Sequence, residues 1–157
     1  MKKLFCFVMC GILALSCALA EQEVVLPNSR YVLEVPDWME YSDPVDGDRG
    51  VEAYISKDLE MDYLSYTREQ AAEKGMKDTL IESVKYLNEN GMKTELRKIQ
   101  GIEMLCYRTE DDADGARCVG YVLMDGDWLI EISFWYANED AAKEAETIIS
   151  TIRPAEQ

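Results

Sequence analysis

Residues 30–35, RYVLEV, alternate Tyr31, Leu33 and Val35 with Val32 and Glu34. A period of two predicts a strand, and Pro36-Asp37 ends it. VEAYIS (51–56) and MDYLSYT (61–67) predict two more strands around the turn KDLE. The period then changes. Ala72, Met76, Leu80, Val84 and Leu87 recur every three or four positions, which predicts one long helix with a single apolar stripe. Thr67 with Gln70 three residues on forms a capping box at its start, Gly75 is a weak point within it, and Asn90-Gly91 stops it.

TELRKI (94–99) and IEMLCYRT (102–109) read as strands divided by Gln100-Gly101. ARCVGYVLM (116–124) and WLIEISFWY (128–136) flank Asp125-Gly126-Asp127, a hairpin signal. With Asp125-Gly126 as the turn, Leu123 pairs with Trp128, Tyr121 with Ile130 and Val119 with Ile132, which makes one face apolar. The other face mixes Cys118, Gly120 and Val122 with Leu129, Glu131, Ser133 and Trp135. Asn138 caps a last helix whose buried stripe is Ala141, Ala145, Ile148 and Ile152, and Pro154 stops it. Strands, long helix, strands, short helix: this order predicts one α+β domain, a mostly antiparallel sheet packed against a long central helix and a C-terminal helix.

The stretch TEDDADGARC (109–118) has two readings. As a calcium loop with Gly115 at the sixth position, Glu110, Asp112 and Asp114 fill the first, third and fifth. The twelfth ligand then falls on Tyr121, which has no carboxylate, and both flanks are strands rather than helices. As a hairpin centred on residue 112, the stretch sets Cys106 opposite Cys118 and Leu105 opposite Val119. The hairpin satisfies more of the pattern and predicts a Cys106–Cys118 disulfide, because opposed cysteines on neighbouring strands fall near the required Cα separation. Weak calcium binding at Glu110, Asp112 and Asp114 stays open. The loop at 42–50, with Asp43, Asp46 and Asp48, has no ligand spacing and reads as a solvated acidic loop.

The first twenty residues change the setting. Lys2 and Lys3 precede an apolar run at 4–15, and Ala18-Leu19-Ala20 has the pattern of a cleavage site before Glu21. This layout is that of a secretory signal peptide. Leu13-Ala14-Leu15-Ser16-Cys17 leaves a second possibility, a bacterial lipoprotein with a lipid anchor at Cys17. Cleavage after Ala20 fits better, and it leaves residues 21–157 as a single secreted or periplasmic domain with no second span. Lys2 and Lys3 are the only charges lost, so the remainder carries 14 basic against 31 acidic side chains, a net charge of −17. Such a surface repels nucleic acid and anionic lipid.

Much chemistry is missing. The chain has no His, which removes imidazole acid–base catalysis and the Ser-His and Cys-His dyads. Two thiols outside the leader and no imidazole leave no zinc site. No Gly-rich phosphate loop, C-x-x-C pair or G-x-S-x-G stands in the sequence, and no cofactor or catalytic residue is assigned. Carboxylates and aromatics are what is left. Glu131 interrupts an apolar strand, although simple alternation also points it to water. Trp135 shares its face and Trp38 follows the first strand, so Glu131, Trp135 and Trp38 are the candidate ligand-binding residues, set against the plainer role of covering the core.

YVLEVPDW (31–38), with its Pro36 and Trp38, resembles the opening strand of the PsbP/Mog1-type α/β sandwich. IISTIR (148–153) is similar to that family's closing helix, and Gln100-Gly101-Ile102 to the Gly that opens its strand after the long helix. The resemblance covers most of the mature chain in layout. It implies a central antiparallel sheet with helices against it, and a company of exported bacterial proteins and accessory or binding subunits of photosystems and nuclear transport. It carries over no catalytic residue. The expected function is thus an exported binding or accessory domain with a protein or cell-envelope partner. The competing class is a small carboxylate hydrolase acting on a surface polymer.

Overall fold

The computed structural model describes residues 21–42, 51–110 and 117–156. Asp43, Asp46, Asp48, Asp112 and Asp114, the side chain of Glu110 and the leader at 1–20 lie outside the described residues, so both acidic-loop readings do as well. Strands β1 (Glu21–Val25), β2 (Tyr31–Pro36), β3 (Glu40–Ser42), β4 (Glu52–Ile55) and β5 (Leu59–Thr67) lead into helices α1 (Arg68–Glu73) and α2 (Leu80–Glu89). Strands β6 (Thr94–Ile99), β7 (Ile102–Glu110), β8 (Arg117–Asp125) and β9 (Trp128–Tyr136) follow, then α3 (Glu139–Ser150) and the short β10 (Arg153–Pro154). A seven-stranded sheet runs β3-β4-β5-β9-β8-β7-β6, and a three-stranded sheet runs β1-β2-β10. Every described pairing is antiparallel.

The predicted α+β class holds, and alternation explains the layers. On one face of the large sheet, Met61, Tyr63, Tyr121, Ile132 and Phe134 meet Leu33 and Val35 of β2 and Ala145 and Ile148 of α3. On the other face, Leu105, Val122 and Leu129 lie beneath Ala71, Leu80 and Leu87 of α1 and α2. The strands at the centre of the sheet are therefore apolar on both sides for part of their length.

The long helix divides in two. Thr67 does cap α1, accepting from the Gln70 amide while the Gln70 side chain accepts from the Thr67 amide. Gly75 then takes φ +89°, a left-handed conformation that ends α1, and Thr79 caps a fresh helix. Ala71 rather than Ala72 is buried as a result. At the other end Asn138 caps α3 as expected, accepting from the amides of Asp140 and Ala141.

Two hairpins differ from expectation, with opposite consequences. The β8–β9 turn residues are Gly126-Asp127, with Leu123 opposite Ile130 and Tyr121 opposite Ile132. Gly126, at φ +60°, takes the first central position, where a tight hairpin needs positive φ. The register moves by two residues, so every side chain keeps its predicted face. In β7–β8, Cys106 pairs with Tyr121 and Cys118 with Thr109. This register differs by three, an odd number, and turns one strand over relative to the other. Cys106 enters the main core while Cys118 faces the other way; both thiols are buried and free, and the expected bridge does not form. Leu105 correspondingly joins Val122 under α2.

Candidate functional site

The two helices cover only part of their face of the sheet. Their apolar contacts stop at Tyr107, Val122 and Leu129. Beyond that margin the register builds two rows across the strands. One runs Cys118, Trp135, Glu60, Ile55, Glu40 and the next runs Gly120, Ser133, Asp62, Ala53, Ser42. Glu131 opens a third row, opposite Val122 and Leu64. Trp135 and Ile55 belong to neither core, and Ile55 is 37% exposed. On this half of the face Cys118, Gly120 and Ser133 are buried, Trp135, Glu60, Asp62 and Glu131 are half-buried, and Ile55 and Glu40 reach solvent.

Burial and like charge set the electrostatics. The Asp62 carboxyl is pushed up to about 6, first by burial and then by the charge of Glu60 and the hydrogen bond the two acids share. The Trp135 indole bonds to Asp62 and pulls in the opposite direction. Two strand positions away, the Tyr107 hydroxyl donates to Glu131 Oε1 at 2.5 Å. Burial, with the Glu131 charge behind it, holds that phenol well above its ordinary range. The Cys118 thiol is pushed up to about 11 by burial, and Glu131 and Asp62 add to the rise against a hydrogen bond with Thr109. A thiol so protonated is a poor nucleophile.

Gly120 makes this arrangement possible. It lies opposite Tyr107, and the phenol ring crosses directly above it. A Cβ there would fall inside the envelope of Tyr107 Cζ, Cε1 and Oη. The ring occupies the space that a side chain would take, and from there its hydroxyl reaches Glu131 on β9.

Trp38 stands at the end of the first row. It is 43% exposed and lies within the tight turn that the Met39 amide closes by donating to the Pro36 carbonyl. A hollow of about 540 Å³ joins Trp38 to Glu40, Tyr41 and Ile55, the β3 end of the row. A second, of about 770 Å³, runs from Trp38 past Lys57 and Asp58 to Glu139 and Glu144 at the start of α3. Tyr41 stacks edge-on with Tyr54, ring centroids 5.5 Å apart, which props this edge of the sheet.

Glu131 and Trp135 therefore share the face predicted for them, and Trp38 borders the same surface through Ile55 and Glu40. Glu60, Asp62, Ile55 and Tyr107 are new. A faint signal for Asp62 exists in MDYLSYT, where it is the one acid inside an apolar strand. Nothing local signals that Trp135, 73 positions later, lies beside it. Among the described residues no cluster of three or more His, Cys, Asp or Glu is arranged to hold a metal ion.

No family model matches the chain, and no curated protein matches it in sequence. Solved structures do match in fold. The solution structure of cyanobacterial PsbP (CyanoP) from Synechocystis sp. PCC 6803 superposes with a TM-score of 0.57 at 15% identity, covering 93% of this chain and 97% of that one. A crystal structure from Bacteroides thetaiotaomicron VPI-5482 gives a TM-score of 0.54 at 16% identity over 87% of this chain and 49% of that one. The chain spans about half the length of the second protein. The PsbP-like resemblance drawn from the sequence holds at the level of fold.

Proposed function

We propose that this chain is an exported, non-enzymatic binding domain that engages a protein or cell-envelope partner through the uncovered half of its large sheet. One observation carries the reading: outside both cores, the exposed Trp38 and Ile55 line one hollow, and the half-buried Trp135 follows Ile55 and Glu60 in the same cross-strand row. Exposed apolar side chains gathered in one patch mark interaction surfaces. The leader pattern at 1–20, with Ala18-Leu19-Ala20 before Glu21, supports export. The test is capture from solubilised envelope fractions by residues 21–157. Wild type retains a partner and Trp135→Ala loses it with the circular dichroism unchanged; capture by both alike overturns the assignment. Intact mass checks export: a product starting at Glu21 agrees, and a diacylglyceryl adduct on Cys17 means a lipid anchor instead.

Asp62 favours a second reading, a carboxylate hydrolase acting on a surface polymer. A carboxyl held up to about 6 beside a second acid has the protonation of a general acid near neutral pH. Release of reducing ends from envelope polysaccharide, abolished by Asp62→Asn, would establish it. Turnover indifferent to that substitution would dismiss it.

A further inference from the structure

The chemistry of the uncovered half-face selects among partners. Four carboxylates, Glu40, Glu60, Asp62 and Glu131, project on it around Ile55 and Trp135. No Lys or Arg occupies a position of its rows; Lys57 lines the hollow beside Ile55, Glu40 and Trp38, and the whole chain carries a formal charge of −15. We infer that the half-face docks a Lys- or Arg-rich segment of a protein partner. This deepens the binding reading above and rests on it.

The dimensions favour a peptide over a small cation. Glu40 and Trp135 lie three strand spacings apart, about 14 Å at ~4.8 Å per strand. That span matches four or five residues of extended chain at ~3.3 Å each. Glu60 and Asp62 share a hydrogen bond while Glu40 and Glu131 stand on other strands, and among the described residues no group of three acids is arranged to hold a metal ion. Lys and Arg also suit the apolar members. Their methylene stems lie along Ile55, and their charged heads sit over the Trp135 indole while facing acids. Phosphate-bearing partners meet repulsion from the four carboxylates.

The site stands ready for positive charge. Asp62 faces Glu60 on its own strand, the Trp135 indole on β9 and the Cys118 thiol on β8, with Glu131 further along β9; β4 opposes it with uncharged Ala53. A cation here relieves the repulsion between Glu60 and Asp62 and draws the proton from Asp62. Binding therefore strengthens as pH rises through about 6.

Calorimetric titration tests this with three peptides of about eight residues, long enough to cross the face: one rich in Lys with two Leu, one with Glu for each Lys, one with Gln for each Lys. The Lys peptide alone binds, more tightly at pH 7.5 than at pH 5, and less tightly as salt rises. The Glu60→Gln/Asp62→Asn double variant weakens it about tenfold. Glu95→Gln/Glu103→Gln removes the same charge from the opposite edge of the sheet and leaves affinity unchanged. Equal loss in both double variants reduces the effect to the bulk charge of the chain and overturns the inference. Loss of envelope capture in Trp135→Ala, with no effect of the Glu60/Asp62 pair, leaves the binding surface standing and refutes a basic occupant.

Discussion

Gly120→Ala is a small change with a large expected cost. At most strand positions with ordinary φ, adding a methyl to glycine stabilises by roughly 0.4–1 kcal/mol, because the unfolded chain loses freedom. Gly120 is not in the left-handed region, so its backbone accepts Ala. The obstacle is Tyr107, whose Cζ, Cε1 and Oη occupy the space of the new Cβ. The ring must move, and overpacking of this kind costs about 1–3 kcal/mol. Moving it also breaks the bond to Glu131 and leaves a half-buried carboxylate short of a donor, a further ~1.5–3 kcal/mol. A net loss of about 3 kcal/mol lowers the urea midpoint by roughly 1.5–2 M for a domain of this size. The double-mutant cycle isolates the cause: in a Tyr107→Ala background, Gly120→Ala costs less than about 0.5 kcal/mol, within ordinary additivity. A stabilising Gly120→Ala, or a cost that persists without the ring, would refute both the contact and the β7–β8 register on which it depends.

Other outcomes follow from the same geometry. Asp62 has its folded pKa raised from 3.8 to about 6, so its contribution to stability is full below the lower value and is lost as pH rises through the upper one. Asp62→Asn therefore stabilises at pH 7.5 but not at pH 3.5, by about 1 kcal/mol once solvent screening of a half-buried group is allowed for; urea curves at the two pH values read it. Thiol titration of the unreduced protein finds both Cys106 and Cys118 in denaturant and neither reacting quickly in the native state, whereas a thiol-free denatured chain would restore the bridge. Gly75→Ala, forced to φ +89° with its Cβ 3.1 Å from the Tyr86 ring, lowers stability by about 1 kcal/mol in thermal or urea melts; a neutral result would mean that α1 and α2 can merge.

The parts of the fold legible in the sequence are those fixed by short-range chemistry. Thr67 and Asn138 announce their helices because capping needs only the next few amides. The face shared by Glu131, Ser133 and Trp135 survives a two-residue slip in the hairpin, since alternation has the same period. Between β7 and β8 alternation decides nothing, because Leu105 and Cys106 are both buried, each against a different core. Either register hides an apolar side chain, and only the cover supplied by α2 selects one. The short β1, β3 and β10 carry too few alternating positions to stand out. The acidic–aromatic surface is a product of strand order: Glu60 meets Trp135 and Ile55 only because β5 lies between β9 and β4.

Photocrosslinking tests the binding surface without assuming what occupies it. With p-benzoylphenylalanine in place of Ile55 on the uncovered half-face, or in place of Ile81 on the outer side of α2, both sites begin as exposed aliphatic positions. Irradiation in the presence of envelope fractions should yield a discrete adduct from position 55 and none from position 81. An adduct at position 81 alone, or none at either while the wild type still captures a partner, would place binding elsewhere on the molecule.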